Sequence, residues 1–322
     1  MSQAASDFVS GTDVVAGAVE GRSPKQLFWS RFRQDKFALV GIGFIVILVI
    51  LATFAPFIAE SVAHHGPNDV FLREMTDEFG LPQGPNAQFY FGADTAGQDV
   101  FVRTIYGART SLVIALFATG ISVFIGVALG LTAGYYRGKT DTVISRLTDV
   151  MMSLPVLILA LGLASACSGR EGCLGGRLKP GLLLVSYIIG LFNWPYIARI
   201  VRGQVFSLRE KEFIEAARAQ GAGGFRIMTR ELLPNLVAPI IVYSTLIIPS
   251  NILFEAALSF LGVGVPPDTP SWGEMLSRAG DIFHVAWWLM FFPGLFLFVT
   301  TLSFNLVGDG LRDALDPRSS RS

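Results

Sequence analysis

Six long apolar runs constrain the fold of this chain more than any other feature. A helix needs about 20 mostly apolar residues to cross the ~30 Å hydrocarbon core of a bilayer. The 322 residues are 52% hydrophobic and only 16% charged, and the mean hydropathy is +0.53. We therefore predict an all-α, polytopic membrane protein with about six transmembrane helices. The predicted spans are residues 37–59, 111–135, 147–166, 181–201, 236–262 and 285–307.

The distribution of lysine and arginine predicts the orientation of these spans. If the amino terminus is inside, the inside segments hold 18 of the 25 basic residues and the outside segments hold 7. Basic residues collect on the cytoplasmic side, so we predict that both termini are cytoplasmic. The predicted organisation is a cytoplasmic tail at 1–36, a first span at 37–59, an extracytoplasmic segment at 60–110, a membrane core at 111–308 with a cytoplasmic loop at 203–235, and a cytoplasmic tail at 309–322.

The cytoplasmic loop holds the densest charge and glycine of the chain, in "EKEFIEAARAQGAGGFRIMTRELLPN". A helical wheel over its first part sorts charged residues from apolar ones. The apolar side is predicted to hold Phe213, Ile214, Ala216 and Ala217, and the charged side Lys211, Glu212, Glu215 and Arg218.

Three glycines then predict a sharp corner, followed by a second short helix that ends at Pro234. The glycines are Gly221, Gly223 and Gly224, and the second helix is predicted to align Phe225, Met228 and Leu232 on one stripe. One interpretation is an amphipathic pair on the lipid headgroups. Because Glu212 and Glu215 would be repelled by anionic lipid, we favour a docking element for a soluble partner.

Polar residues within the fifth span raise two alternatives. Asn251 and Glu255 lie one turn apart and could form a polar wall of a translocation pathway. Alternatively, a neighbouring helix or loop pins the glutamate. In the second span, Ser122, Gly126, Gly130 and Gly134 recur every four residues, and this pattern predicts close packing against another helix.

The two cysteines also leave alternatives open. Cys167 and Cys173 are six residues apart on the predicted outer, oxidising side, so they could form a disulfide or remain two thiols. With three histidines and two cysteines, the chain offers almost no material for a metal site, so none is predicted. The zero net charge gives no indication of nucleic-acid binding.

One short stretch imitates a nucleotide site. Gly138, Lys139 and Thr140 look like the end of a phosphate-binding loop, but that motif needs glycine where this chain has Ala133. It also needs a preceding β-strand, whereas an apolar helix is predicted here. We predict no ATP site, no catalytic residue and no cofactor in this chain.

At the cytoplasmic loop the sequence resembles the EAA motif of ABC importer permeases. The matching residues are Glu215, Ala216, Ala217, Gly221, Leu233 and Pro234, while Glu231 replaces the isoleucine of the motif. Three further stretches resemble the second permease subunit of dipeptide, oligopeptide and nickel transporters. They read "FGADTAGQDVFVRTIYGARTSL", "AALSFLGVGVPPDTPSWGEML" and "NLVGDGLRDALDPR", and the resemblance covers about residues 25–318.

The resemblance implies a subunit of a larger machine in the bacterial cytoplasmic membrane. A second, homologous permease would complete the pathway, and two cytoplasmic nucleotide-binding subunits would bind ATP and Mg²⁺. An extracytoplasmic binding protein would deliver the substrate. The six matching motif residues would lie in the element that docks on an ATPase subunit.

The resemblance leaves the substrate open, with di- and oligopeptides favoured over nickel or another small solute. Two other functional classes of membrane protein predict different residue patterns. A secondary transporter would more often carry several intramembrane charges, and a membrane-embedded enzyme would need paired aspartates or a histidine cluster. The sequence shows neither pattern.

Overall fold

The structure is a computed structural model that describes residues 24–167, 169, 173 and 178–315. That part of the chain is built from α-helices and two π-helical stretches, at Ala59–Ala63 and Ile227–Leu232. The α-helices are α1 (Pro24–Phe32), α2 (Lys36–Thr53), α3 (Ala55–Ile58), α4 (Leu72–Met75), α5 (Val100–Tyr136), α6 (Gly138–Ser153), α7 (Val156–Cys167), α8 (Leu182–Leu208), α9 (Glu212–Ala219), α10 (Gly224–Arg226), α11 (Leu233–Phe260), α12 (Trp272–Ala279) and α13 (Trp288–Leu315).

Five helical segments within the described residues are long and apolar enough to span a membrane. They are α2, α5, α8, the continuous segment Gly224–Phe260, and α13. Helices α6 and α7 supply a sixth only if they count as one span, because the chain bends by 84° between them. The predicted all-α class with about six spans is thus confirmed.

The third predicted span, 147–166, differs from a straight helix for an identifiable reason. Leu154 has extended backbone angles, φ −84° and ψ 142°, and Pro155 follows it. Proline has no N–H and disfavours helical geometry in the residue before it. The break therefore lies at a signal that the sequence already contained.

Several other boundaries also differ from the predicted ones. Helix α5 begins at Val100, so the last part of the predicted 60–110 segment is already helical. The side chain of Asp99 caps it, accepting hydrogen bonds from the backbone N–H groups of Phe101 and Val102. Helix α8 continues to Leu208, inside the predicted loop 203–235. Helix α13 reaches Leu315, inside the predicted tail 309–322.

The amino-terminal tail predicted at 1–36 is described only in part. Helix α1 occupies residues 24–32 of it, and residues 1–23 lie outside the described part of the chain. The side chain of Phe32 is buried against Ala38 and Ala314, so this end of the predicted tail packs on the membrane bundle.

The stripe of small residues on α5 packs against α8. A Cβ atom added to Gly126 would lie 2.6 Å from the Cβ of Ile197, and one added to Gly130 would lie 2.7 Å from the carbonyl oxygen of Ala198. The hydroxyl of Ser122 donates to the carbonyl oxygen of Gly190 at 3.0 Å. Small residues let the two backbones approach closely, as predicted, and the structure identifies α8 as the partner.

Candidate functional site

Helix α9 carries three of the six predicted docking residues, Glu215, Ala216 and Ala217, and the bundle holds the helix by a narrow apolar edge. Ile214 is fully buried among residues of α5, α8 and α11, and Ala217 packs beside it. Glu215, Ala216 and Phe213 are exposed. The predicted four-residue apolar side is therefore wrong: only Ile214 and Ala217, three residues apart, face the bundle. The exposed surface combines acidic and apolar groups.

Gly221 forms the corner after α9 because the backbone there is left-handed, with φ +80°. The N–H of Ala222 donates to the carbonyl of Ala217 at 3.0 Å, and the N–H of Gly221 donates to that of Arg218 at 2.9 Å. This pair of bonds is a Schellman motif, in which glycine is the favoured left-handed residue. Gly223 has an ordinary negative φ of −71°, so the corner does not require glycine there.

The second half of the loop also departs from the predicted stripe. Phe225 is 75% exposed, whereas Ile227 and Leu232 are fully buried. The π-helical stretch between them explains the change, since its hydrogen bonds span five residues and shift the register of the buried face. Leu232 packs in the core, while its neighbour Glu231, at the isoleucine position of the motif, stays partly exposed.

Leu233 and Pro234 do not end the second helix, contrary to the prediction. They form the first turn of α11, where proline is well tolerated. Leu233 packs against the same cluster that buries Ile214 and Leu232, while the ring of Pro234 is exposed. The loop is therefore continuous with the membrane-spanning helix that follows it.

Two arginines attach the loop to the carboxyl-terminal end of α5. Arg209 donates from Nη1 to the carbonyl oxygen of Tyr135 at 2.6 Å, and so satisfies a carbonyl left free at the helix end. The guanidinium of Arg218, on α9, lies over the ring of Tyr135 at 5.9 Å. Arg137 pairs with Glu210 at 2.6 Å. Helix α9 is thus held against the long helix α5.

Asn251 and Glu255 lie inside the chain's own bundle. Both side chains are fully buried. Glu255 accepts hydrogen bonds from Ser111 at 2.9 Å and from Ser259 at 2.7 Å. Asn251 donates to Thr119 at 2.8 Å. This geometry favours the alternative in which neighbouring helices pin the glutamate, and gives Glu255 no surface from which to line a pathway.

A buried arginine that the sequence reasoning missed organises the amino-terminal end of α5 and the segments packed on it. The side chain of Arg103, on α5, is 1% exposed. Its guanidinium donates to Glu274 at 3.0 Å and to Gln98 at 2.8 Å. It also donates to the carbonyl oxygens of Pro67 and Pro267, both at 3.2 Å. One side chain thereby joins four separate stretches of chain.

Carboxylates beside Arg103 complete this network. Glu274 pairs with Arg103 and Arg278, and Arg278 also approaches Asp94 at 3.5 Å. Burial raises the pKa of Glu274 above its usual value, while the two guanidinium groups oppose that shift. Burial likewise raises the pKa of Asp99, opposed mainly by its hydrogen bond with His65. The sequence feature that could have indicated this cluster is Arg103, four residues after the helix cap Asp99.

The two cysteines are joined in the structure. Cys167 ends α7, and its Cα lies 4.9 Å from that of Cys173. Cys167 is buried beside Leu184, so the disulfide rests on the outer end of α8. The residues between the two cysteines lie outside the described part of the chain, except residue 169.

The imitation phosphate loop lies at a helix junction. Arg137 has φ +55° and turns the chain between α5 and α6. Gly138 and Lys139 then begin α6, and the element directly before them is helix α5. The motif therefore lacks the strand–loop–helix setting that phosphate binding requires.

Two family models built from known proteins match this chain. The family model described as "Binding-protein-dependent transport system inner membrane component" matches residues 126–321. A second model, described as the N-terminal transmembrane domain of oligopeptide transport permease C, matches residues 23–85. The fold and these two matches define the class, a transmembrane permease subunit of an ABC importer. The chain belongs to the family of binding-protein-dependent transport system inner membrane components.

Relatives and a solved structure agree with this assignment. The chain is 40% identical to the di/tripeptide transport system permease protein DppC of Pseudomonas aeruginosa, over 92% of this chain and 93% of that protein. It is 39% identical to the glutathione transport system permease protein GsiD of Escherichia coli O157:H7, over 92% and 91%. An inward-facing structure of the MetNI methionine ABC transporter shares the fold, with TM-score 0.54 and 21% identity over 66% of this chain and 96% of that one.

Proposed function

We propose that this chain supplies half of the translocation pathway of an ATP-driven importer for di- and tripeptides in a bacterial cytoplasmic membrane. The observation that carries the proposal is helix α9, which exposes charged and apolar side chains together and is anchored to the membrane bundle through Ile214 and Ala217. A membrane protein that works without a soluble partner has no use for such an exposed helix. A soluble partner on the cytoplasmic side explains both its exposure and its rigid corner at Gly221.

Four partners follow from this assignment. A second, homologous permease closes the pathway, and an extracytoplasmic binding protein delivers the substrate. Two nucleotide-binding subunits bind ATP and Mg²⁺ in the cytoplasm and hydrolyse the nucleotide, while this chain contributes no ATP site, catalytic residue or metal of its own. Its part in the reaction is mechanical, because it converts movement of an ATPase subunit into rearrangement of its membrane helices.

The docking surface on α9 is suited to hold an ATPase subunit in one register. Glu215 and Ala216 project from the exposed side, and the small side chain of Ala216 permits close approach of a partner backbone. Charges at such a contact select the partner and its orientation more than they add affinity. Arg218 on α9 contacts the ring of Tyr135 on α5, so a displacement of α9 is passed to α5.

The substrate class rests on the relatives. Permeases named for di/tripeptide transport and for glutathione transport are each about equally similar to this chain. Glutathione is itself a tripeptide, so both names describe small peptides. Uptake into proteoliposomes that contain the assembled complex should be compared for dialanine, trialanine, glutathione and Ni²⁺. Uptake of Ni²⁺ alone would replace the peptide assignment with the metal alternative.

The docking assignment is tested by charge reversal on α9. We predict that Glu215→Lys lowers ATP-driven uptake at least about tenfold, equivalent to 1.4 kcal/mol of lost docking. Gly221→Pro should act in the same way, because proline cannot adopt a positive φ. Co-purification of the ATPase subunit with the permease gives the direct readout.

The matched control is Asp309→Lys, a charge reversal at an exposed residue on the cytoplasmic end of α13. It should leave both uptake and co-purification unchanged. Membrane insertion of all three variants is checked by their abundance in isolated membranes. Full co-purification and uptake with Glu215→Lys and Gly221→Pro would refute the assignment of α9 as the docking helix.

A further inference from the structure

The seam between α8 and α11 differs from the exposed faces of α2 and α13. On α2, the exposed residues from Phe37 to Ile50 are all apolar or glycine. On α13, the exposed residues of the apolar segment are Phe291, Leu295, Phe298 and Leu302. Such faces suit contact with lipid tails.

Helix α8, by contrast, exposes polar side chains along its cytoplasmic half. Tyr196 is 51% exposed, and Gln204 and Ser207 are also exposed. Tyr196, Ile200 and Gln204 recur every four residues, so they lie along one side of the helix. Across the seam on α11, Tyr243 and Ser250 follow a matching stripe. Gln204 and Tyr243 line the same small crevice between the two helices.

The two ends of the seam are covered differently. In the outer half, α7 packs across both helices, with Ala160 and Ala164 buried against Ile188 of α8 and Leu258 of α11. In the middle, Asn193 on α8 donates to Asn251 on α11 at 2.8 Å. In the predicted orientation, this amide pair separates a covered outer half from an uncovered half on the cytoplasmic side.

Tyr196, Tyr243 and Ser250 lie within the predicted spans 181–201 and 236–262, where polar side chains face protein or water because lipid offers them no hydrogen bonds. We propose that the seam lined by Tyr196, Gln204, Tyr243 and Ser250 is this subunit's wall of the translocation pathway, open towards the cytoplasm and closed outward at the Asn193–Asn251 pair. The proposal rests on the importer function above and specifies where the peptide passes.

The chemistry of this wall fits small peptides of varied sequence. The four side chains are uncharged, and amide or hydroxyl groups can donate to or accept from a peptide backbone. Both neighbouring charges on α8 are paired with carboxylates of α6: Arg199 with Asp149 at 2.8 Å, and Arg202 with Asp141. Uncharged, isolated hydrogen-bonding groups retain a passing peptide only weakly, and weak contacts suit a path that the substrate must leave.

Thiol accessibility tests the proposal in the assembled complex. The two native cysteines are bonded to each other, so the parent chain offers a reagent no free thiol. Gln204→Cys and Ser250→Cys place thiols in the seam, while Val46→Cys and Leu302→Cys place them on exposed apolar faces of α2 and α13. A charged methanethiosulfonate reagent is applied to inside-out vesicles, and labelling of this chain is followed by mass.

The thiolate attacks the reagent, forms a mixed disulfide and releases methanesulfinate, and the thiolate forms only where water reaches the sulfur. Both seam thiols should therefore react at least roughly tenfold faster than the two controls. Equal rates at all four positions, or faster reaction at Val46→Cys and Leu302→Cys, would overturn the pathway assignment. Because labelling is read separately from uptake, such a result in a complex that imports dialanine would leave the proposed function intact. If the complex with the unsubstituted chain does not take up dialanine, that result instead counts against the proposed function.

Discussion

At the scale of single residues, the structure assigns the strongest polar contacts to positions that no motif singled out. Arg103 lies in a stretch that resembles the permease family, but nothing in a hydropathy profile shows that one guanidinium joins four segments. Such contacts link residues more than 150 positions apart, as between Arg103 and Glu274. Gly221 is the opposite case, since glycine after a short charged helix is a local signal and the left-handed corner followed from it.

Removing the guanidinium of Arg103 should destabilise the extracytoplasmic side. We predict that Arg103→Met lowers the stability of the purified chain by about 3–5 kcal/mol, because buried carboxylates lose their partner. Thermal unfolding in detergent would show this as a reduced Tm. The control is Arg109→Met, at an exposed position on the same helix, which should change the Tm little. Equal shifts in both variants would show that the buried network contributes no specific stability.

At the scale of elements, the apolar runs predicted which segments are helical but not where each helix begins or bends. Helix α5 extends past its apolar run because Asp99 caps it and Arg103 is neutralised by tertiary contacts. Leu232 is buried as predicted, but at the π-helical stretch before α11 Ile227 is buried and Phe225 is exposed, a change that a period of 3.6 residues cannot foresee. The stripe of small residues on α5 correctly predicted close packing, and only the identity of the partner helix, α8, had to come from the structure.

The contact between α5 and α8 supports a direct test. We predict that Gly130→Leu destabilises the chain by more than the ~1–3 kcal/mol typical of overpacking, since even a Cβ would lie 2.7 Å from a backbone oxygen. The control is Gly120→Leu on the same helix, where an added Cβ meets nothing within 4 Å. Membrane abundance and thermal unfolding report the difference. A normal Gly130→Leu variant would contradict the close approach of the two helices.

At the scale of the whole molecule, the charge distribution predicts a single orientation for all the described helices. The long loop with α9, the junction at Arg137 and the carboxyl end of α13 then share the cytoplasmic side, and the disulfide lies on the oxidising side. Sequence reasoning reached the bundle and its class because membrane solvation restricts a spanning chain to few solutions. It could not reach the pathway, since which polar residues are buried, as Asn251 is, depends on the assembled fold.

Reporter fusions test this orientation. Green fluorescent protein fused after Ser322 should fluoresce, and alkaline phosphatase fused at the same place should stay inactive, because that end is predicted to be cytoplasmic. Alkaline phosphatase inserted after Glu78, in the extracytoplasmic segment, should be active and serves as the matched control. Activity of the phosphatase at the carboxyl end would reverse the orientation and place α9 on the wrong side for an ATPase.

Helix α5 has a consequence for communication across the membrane. Its 37 residues form a rod of about 55 Å, at 1.5 Å per residue, with the Arg103 network at one end and the support for α9 at the other. Because such a helix is stiff, a displacement of one end also displaces the other end. In the proposed complex, any free energy by which the delivery protein favours one position of this rod must favour the same state of the ATPase subunit, and the influence must run equally in reverse.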